Sequence, residues 1–412
     1  MLKLKMKLFG IDGVKLGVNC AEAPSSKRCH PFLEANSSSA PLPAITPHGT
    51  VWGHQQWARD RMKALLAALP LTVCAVALCA PAVLAEPPLA PRNVPAKSIP
   101  VPSDVSPEMQ VIIAQPLRPD WDNPPTTPDG WRQLADKLAA ALGPQVAPMT
   151  ERLRVNVQPD TINGVKVYRL TPEQIPARNA NRLAIHVHGG CYVLNPHEAA
   201  LPEAVLLAGF GQMKVIAVDY RMPPDAYFPA ALDDAMTVYK AAVKMTDPKK
   251  IAVFGSSAGG ALTLEMMLRA KQEGLPMPGA IAPGTPMSDV TKVGDSFQTN
   301  ALVDNVLVSP DGFCDAATRF YANGHDLHDP MLSPIYGDMS GFPPTILTTG
   351  TRDLLLSNTV RVHRKLREAG VDAALQVFEG QSHAQFYRDD RVPEVKEAFQ
   401  EIAGFFNRHL GQ

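Results

Sequence analysis

The chain has 412 residues, of which 45% are hydrophobic, so it is long enough to bury one large core or two ordinary ones. Its formal net charge is -1 at pH 7, which excludes the basic field that nucleic-acid binding requires and leaves no acidic tail. We therefore expect a globular protein whose partner is a small, neutral or weakly charged molecule.

The N-terminal part of the chain has the pattern of a targeting signal. Residues 62–85 follow a basic flank with a long apolar run and end in small residues, which is typical of a bacterial secretory signal that starts at Met62. Residues 1–61 are then an upstream extension, either disordered or a misassigned start, and residues 86–412 form the mature chain. If Met1 is the true start, residues 64–85 are long enough to span a bilayer and would anchor the protein. The cleaved signal predicts a periplasmic or secreted protein without a stable membrane partner.

Cysteine usage gives no sign of a disulfide framework. Four cysteines lie in the signal or upstream of it, so only Cys191 and Cys314 remain in the mature chain. Two cysteines are too few for such a framework, and no Cys/His spacing is typical of a metal site. We therefore expect Cys191 to be unpaired, and we expect neither a metal nor an organic cofactor.

The mature chain opens with a Pro-rich, polar segment over residues 86–125 that contains one short apolar patch, residues 109–115. We expect this segment to wrap over the surface. Helical spacing follows over residues 129–142. Two segments that alternate apolar and polar residues then flank Asn163-Gly164, which predicts a β-hairpin with a tight turn.

Beyond residue 180, β-strands and helices alternate. Each strand is a nearly continuous apolar run, as strands covered by helices on both faces require. We therefore predict an α/β fold whose mostly parallel, twisted sheet lies between helical layers. Ligands of such sheets bind at the carboxyl ends of the strands. The predicted helices cover 198–210, 230–244, 258–272, 357–369 and 392–410, with an insertion at 288–343.

The sequence Gly255-Ser256-Ser257-Ala258-Gly259 joins a predicted strand to a predicted helix. G-x-S-x-G in that context is typical of a strained turn that presents the central hydroxyl, here that of Ser257, above the sheet. The alternative is a glycine-rich turn that only packs the helix against the strand. Ser256 is expected to support the turn rather than to react.

A serine nucleophile needs a base, which is usually a histidine oriented by a carboxylate. On this type of fold the chain order is serine, acid, histidine. Asp353 and His383 follow the ends of two successive strands in that order, so we predict that they are the acid and the base. Their alternatives are a solvated turn aspartate and an ordinary histidine.

The stretch His188-Gly189-Gly190-Cys191 ends an earlier buried strand. An oxyanion formed on an acyl carbonyl needs fixed N–H donors, and Gly189 and Gly190 can turn their amides inward without a side chain in the way. Together with the amide of Ala258, they are the predicted oxyanion hole, to which the backbone of Cys191 would add a further donor. His188 is expected to brace this loop. The alternative is a glycine bulge beside a helix.

With these motifs in place, the chain resembles the hormone-sensitive-lipase-like (group IV) family of bacterial esterases in the α/β-hydrolase superfamily. The resemblance covers the chain from about residue 120 to its end. It rests on residues 188–190, 219–235, 255–260, 329–353 and 378–386. It implies a helical cap over the active site, built from about residues 100–150 and 288–335.

The chain departs from the family pattern at two positions. The family usually has a third glycine where this chain has Cys191, and Asp or Thr where it has Ser256. We expect Cys191 to be either a small buried hydrophobe at the pocket wall or a reactive thiol. Tyr192 is expected to line the acyl pocket. Asp219 and Arg221 are expected to form an ion pair that braces a Pro-rich turn.

These residues predict a secreted serine carboxylesterase that hydrolyses short- to medium-chain acyl esters through an acyl-enzyme, as a monomer or a homodimer. A lactone hydrolase, an amidase or a polyester-cleaving enzyme with the same triad is an alternative, because the triad permits all of them. A non-catalytic ligand-binding protein on a hydrolase fold is the other alternative, since fold alone does not prove activity.

Overall fold

A computed structural model describes residues 90–411, so the predicted signal peptide and upstream extension lie outside the described residues. The predicted α/β fold is confirmed, with an eight-stranded sheet in the order β1-β2-β4-β3-β5-β6-β7-β8. The strands are β1 (Val155–Ile162), β2 (Val165–Pro172), β3 (Leu183–Val187), β4 (Lys214–Val218), β5 (Ile251–Ser256), β6 (Ala280–Gly284), β7 (Thr345–Gly350) and β8 (Ala373–Phe378). The helices are α1 (Pro107–Ile113), α2 (Pro128–Leu142), α3 (Val146–Leu153), α4 (Pro202–Gly211), α5 (Ala230–Met245), α6 (Ala258–Gln272), α7 (Ser296–Thr299), α8 (Phe313–Ala322), α9 (Leu356–Glu368) and α10 (Pro393–His409).

The sheet begins with an antiparallel hairpin and continues as a parallel sheet. Strands β1 and β2 pair from Ile162 opposite Val165, and the turn between them places Asn163 and Gly164 at φ 49° and 89°. Asparagine and glycine tolerate this left-handed backbone, so the predicted tight turn is confirmed. Strand β2 is antiparallel to β4, whereas every later pair in the order from β4 to β8 is parallel.

Alternate residues of each central strand feed two separate hydrophobic cores. On β5, Ile251 and Val253 belong to the core beneath α5, α6 and α9, whereas Ala252 and Phe254 belong to the core beneath α4 and α10. Because side chains alternate between the two faces of a strand, a strand covered on both faces must be apolar throughout. This requirement explains the continuous apolar runs of the sequence.

The apolar patch at residues 109–115 does not lie in an irregular surface strap, as its Pro-rich surroundings suggested. It forms most of α1, whose first turn is capped by the Ser106 hydroxyl and begins at Pro107. Met109 and Ile113, four residues apart, lie on one face of the helix and are both buried. A good N-cap and two anchoring side chains are enough to form a two-turn helix in this otherwise exposed segment.

Asp219 and Arg221 do not pair with each other, so that prediction was wrong. The Asp219 carboxylate accepts hydrogen bonds from the backbone and the ring of His197. The Arg221 guanidinium lies 2.8 Å from Asp234 on α5, a carboxylate that also accepts the Arg221 amide. A partner that accepts from both the backbone and the side chain fixes Arg221 better than a sequence neighbour does.

The two segments predicted to form a cap contact each other through aromatic side chains. The Trp131 ring on α2 lies 5.5 Å from the ring of Phe313 and 5.7 Å from that of Phe320, both on α8. The guanidinium of Arg118 lies over Phe313 at 4.1 Å. Within residues 90–411, no helix is both long enough and apolar enough to cross a bilayer.

Candidate active site

The predicted site residues lie at one edge of the sheet, where its parallel strands end. Ser257 directly follows β5, Asp353 follows β7 and His383 follows β8. Gly189 lies two residues beyond the end of β3. Since the carboxyl ends of parallel strands meet at the same edge, the fold brings these four residues to one place.

Ser257 has the strained backbone that the motif predicted, with φ 61° and ψ -122°. The turn can form because the neighbouring chain comes very close. A Cβ atom at Gly259 would lie 2.0 Å from the carbonyl oxygen of Val187, at the end of β3. Only glycine fits this contact, so the start of α6 lies directly against β3 and directs the Ser257 side chain towards the strand-end edge.

Asp353 and His383 are in direct contact. The Oδ1 atom of Asp353 lies 3.1 Å from Nδ1 of His383 and also accepts the amide of Leu355 at 2.8 Å. The Oδ2 atom accepts hydrogen bonds from the hydroxyls of Thr285 and Thr349. Four donors therefore hold this fully buried carboxylate in an orientation that fixes the imidazole ring.

The second ring nitrogen of His383 is free to exchange a proton. Nε2 is buried and has no hydrogen-bond partner among residues 90–411. His383 and Ser257 are 3% and 4% exposed, so both side chains lie in an enclosed space. An unpartnered imidazole nitrogen at the same sheet edge as a serine hydroxyl is available for the hydrogen bond that general-base activation requires.

Sequence analysis missed Asp304, a buried residue of the insertion. Its Oδ2 atom accepts the amide of Leu354, next to Asp353, and the amide of His383 itself. Its Oδ1 atom accepts the amides of Val306 and Leu307. Burial and the nearby charge of Asp353 raise the pKa of the Asp304 carboxyl. Asp304 therefore ties together the two loops that carry the acid and the base.

Gly189 lies against the predicted nucleophile. A Cβ atom at this position would lie 2.7 Å from the carbonyl oxygen of Ser256 and 3.1 Å from Cβ of Ser257. The amides of Gly189, Gly190 and Cys191 donate to no other group within residues 90–411. As the first residue of α6, Ala258 also has an amide without an acceptor inside its helix. Gly189 is therefore in contact with Ser257, and the amides of the loop after β3 have no acceptor within residues 90–411.

His188 braces this loop, as expected. Its Nδ1 atom lies 2.8 Å from the carbonyl oxygen of Gly189, and its ring stacks on that of Tyr220 with centroids 4.0 Å apart. The Tyr220 hydroxyl donates to the carbonyl oxygen of His188. Burial lowers the pKa of His188 to about 4, so its imidazole is neutral at physiological pH.

Ser256 also supports the turn. Its hydroxyl donates to Oε1 of Glu203 at 2.6 Å, and the other oxygen of Glu203 lies 3.2 Å from Nε2 of His186. All three side chains are buried beneath the sheet edge. Ser256 therefore points away from the space in which the hydroxyl of Ser257 would react.

Cys191 is neither unpaired nor a free thiol, so that prediction was wrong. It forms a disulfide with Cys314 on α8, across a sequence separation of 123 residues. The pairing depends on how the insertion folds back over the loop after β3, and cysteine number and spacing do not reveal such long-range contacts. Cys314 lies on the face of α8 that meets this loop.

Tyr192 is fully buried, so it offers no accessible wall to a substrate in this structure. Its hydroxyl donates to Oε1 of Glu265 on α6 at 2.8 Å, and its ring stacks on that of Tyr321 at 4.4 Å. Burial raises the pKa of Glu265 well above its usual value of 4.5. Tyr192 therefore anchors the loop after β3 to α6 and α8.

Glu265→Gln should change the pH dependence of stability. The folded chain holds a proton on Glu265 at pH values where the unfolded chain, with a pKa near 4.5, has released it. This group therefore lowers the free energy of unfolding as pH rises above that value, at a slope of about 1.4 kcal/mol per pH unit until the folded pKa is reached. Glutamine keeps a neutral acceptor for Tyr192 but does not titrate.

Urea unfolding between about pH 5 and pH 8 tests this effect. The variant should gain stability relative to wild type as pH rises. Parallel profiles for the two proteins would show that Glu265 does not bind an extra proton in the folded state. Glu273→Gln is the matched control at the C-cap of α6, because hydrogen bonds to Lys240 and Arg269 give Glu273 a net lowered pKa, the opposite direction from Glu265.

The chain is similar to known proteins in sequence and in fold. A family model described as the alpha/beta hydrolase fold matches residues 184–387. An esterase of Acinetobacter venetianus is 31% identical over 256 residues, which are 61% of this chain and 82% of the relative. The crystal structure of esterase E25 is 41% identical, has a TM-score of 0.75 and aligns with 78% of this chain and 99% of its own. An esterase from the bacterial hormone-sensitive lipase family is 26% identical, with a TM-score of 0.64 and coverage of 74% and 99%.

Proposed function

The chain belongs to the hormone-sensitive-lipase-like family of α/β-hydrolase esterases, and on that premise we propose that Ser257, His383 and Asp353 are its catalytic triad. It is a serine hydrolase that cleaves carboxylic esters. The observation that carries the assignment of the triad is the hydrogen bond between Asp353 and His383, which follow β7 and β8 at the same sheet edge as the strained Ser257 after β5.

The acylation step follows from these positions. Ser257 Oγ attacks the ester carbonyl carbon while His383 Nε2 takes the hydroxyl proton. The carbonyl oxygen becomes an oxyanion, which the amides of Gly189, Gly190 and Ala258 stabilise, with the Cys191 amide as a further donor. When the tetrahedral intermediate collapses, His383 gives its proton to the departing alcohol and an acyl-serine remains.

Deacylation repeats the same steps with water. His383 removes a proton from the water as its oxygen attacks the acyl carbon, and the proton then passes to Ser257 as the carboxylic acid leaves. Asp353 holds the ring in one tautomer and stabilises the imidazolium that forms in each half-reaction. No step needs a group that the chain does not supply.

The enclosure of the site favours short acyl groups over long ones. Ser257 and His383 are 4% and 3% exposed, so a bound ester must fit inside the protein. The two predicted cap segments also contact each other, through Trp131 on α2 and the rings of Phe313 and Phe320 on α8. These observations support short- to medium-chain esters as the substrates.

Export through the segment at residues 62–85 is part of the proposal. The Cys191–Cys314 disulfide supports it, because disulfides persist in the periplasm and outside the cell and are rare in the reducing cytosol. Peptide mass spectrometry of the protein made by its own host tests this: a mature N-terminus near Glu86 is expected, and a chain that retains residues 64–85 would instead indicate an anchored form.

A fluorophosphonate probe tests the nucleophile. The full-length chain should be labelled on Ser257 and on no other serine, as read by peptide mass spectrometry. A folded protein that remains unlabelled would favour a ligand-binding role. In parallel, a panel of p-nitrophenyl acetate, butyrate, octanoate and palmitate should show a much lower kcat/KM for palmitate than for the shorter esters. A maximum at palmitate would contradict the assignment of short- to medium-chain substrates, and faster turnover of matched lactones or anilides would identify a lactonase or an amidase.

A further inference from the structure

The loop after β3 has positive φ values over three successive residues, of which two are not glycine. Gly190, Cys191 and Tyr192 have φ values of 123°, 51° and 64°. Glycine adopts such values without strain, whereas each of the other two residues costs about 1 kcal/mol or more there. A conformation of this kind persists only where the surrounding structure holds it, and it is this conformation that orients the amides of Gly189, Gly190 and Cys191.

Helix α8 holds both of the strained non-glycine residues. Cys191 is bonded to Cys314, and the ring of Tyr192 stacks on that of Tyr321. Cys314 and Tyr321 are seven residues apart, so they lie on the same face of α8 about two turns from each other. Both cysteines are buried, at 4% and 8% exposed, so the covalent link lies inside the protein rather than across its surface.

The same helix also contacts the other side of the nucleophile. Sγ of Cys314 lies 3.5 Å from Sδ of Met287, and the amide of Met287 donates to the carbonyl oxygen of Ser257 at 3.0 Å. The disulfide therefore lies where α8, the loop after β3 and the loop after β6 meet. A shift of α8 would reach both the oxyanion donors and the turn that carries Ser257.

We propose that the Cys191–Cys314 disulfide positions the oxyanion-binding loop by tying its strained backbone to α8, which makes both cysteines positioning residues for ester hydrolysis. The inference rests on the proposed function, because it assumes that these amides bind the oxyanion. It assigns the disulfide a role in the transition state in addition to its role in stability.

The test compares Cys191→Ala/Cys314→Ala with wild type, both as the full-length chain, at a temperature where circular dichroism shows that both are folded. In the double variant, residue 191 must still adopt a strained left-handed backbone, but the covalent link to α8 is lost. We expect kcat for p-nitrophenyl butyrate to fall by about tenfold to a hundredfold, up to the effect of losing one oxyanion donor. KM should change by much less, because the donors act mainly on the transition state.

A second double variant, Cys191→Gly/Cys314→Ala, separates loop geometry from general stability. Glycine adopts the left-handed backbone of residue 191 without strain, so it should restore much of the lost kcat although the disulfide is still absent. Arg319→Ala is the control on α8, because within residues 90–411 its exposed side chain has a hydrogen bond and an ion pair only with Asp315 of the same helix, and it should keep the wild-type kcat.

Three results would overturn the proposal: a folded alanine double variant with kcat within about twofold of wild type, an equal loss of kcat in the glycine and alanine variants, or reduced Cys191 and Cys314 peptides in the active wild-type enzyme. Each of them leaves Ser257 labelling by the fluorophosphonate probe intact. Failure of the proposed function would instead appear as an unlabelled wild type, so the two failures are distinguishable.

Discussion

Ser257→Ala should lower kcat/KM for p-nitrophenyl butyrate by about 10⁵-fold or more, which is the scale of loss when a serine nucleophile is removed. The residual rate should come from binding and from the oxyanion donors, which the variant keeps. Alanine removes only the hydroxyl and preserves the packing of the strained turn, so the variant should remain folded. Steady-state kinetics and circular dichroism on the two proteins provide the measurement.

The adjacent serine provides the matched control for this experiment. Ser256→Ala removes a hydroxyl that donates to Glu203 and leaves a buried carboxylate oxygen without that donor. It should lower the free energy of unfolding by about 1–3 kcal/mol and retain most of the activity of the folded enzyme. Equal activity of Ser257→Ala and wild type, or loss of activity in Ser256→Ala alone, would refute the choice of nucleophile.

Asp353→Asn should lower kcat by about 10⁴-fold with a much smaller change in KM. The carboxylate accepts a hydrogen bond from Nδ1 of His383, and an amide nitrogen in its place would instead favour the tautomer with the proton on Nε2. That nitrogen must be free to take the proton of Ser257. The hydroxyls of Thr285 and Thr349 would still hold the side chain, so we expect the effect to be chemical rather than structural.

Asp304→Asn is the control, because it makes the same chemical change at a neighbouring buried carboxylate. Asp304 accepts a hydrogen bond from the backbone amide of His383 and not from its ring. Its main effect should be on stability, because an amide group cannot accept all four of the amides that Asp304 accepts. If both variants lost kcat equally while folded, Asp353 would not have the specific role of orienting the ring. The comparison requires kcat of both variants, measured below the unfolding temperature of the less stable one.

The strands, and the position of Ser257, Asp353 and His383 at one sheet edge, could be predicted from sequence for the same reason. Strands buried on both faces appear as apolar runs, and parallel strands end at a common edge, so a serine, an aspartate and a histidine that follow three such runs must converge. The order of these three residues along the chain then indicates which is the nucleophile, which is the acid and which is the base. Local signals of this kind depend on residues within about ten positions of each other, which a sequence displays directly.

The features that sequence analysis missed depend on the insertion. Asp304 lies in a loop and Cys314 on α8, both within the insertion, and the loops that they contact are separated from them by tens of residues or more. Nothing in the local sequence of Cys191 distinguishes a buried thiol from half of a disulfide. The hydrogen bond between Tyr192 and Glu265 likewise joins the loop after β3 to α6, and the hydrophobic pattern of the sequence does not show that these two elements are in contact.

Asp304 also bears on attempts to change the substrate range by exchanging segments between relatives. The natural exchange unit would be residues 288–335, because this insertion contributes α8 and part of the predicted cap. Asp304 belongs to this insertion, and its carboxylate accepts hydrogen bonds from backbone amides of the loops that carry Asp353 and His383. A chimera that replaces the whole insertion would remove a brace of the triad together with the pocket wall. Crossover points placed after residue 307 would keep this support of the loops that carry Asp353 and His383, but the new segment must supply a cysteine in place of Cys314 to pair with Cys191.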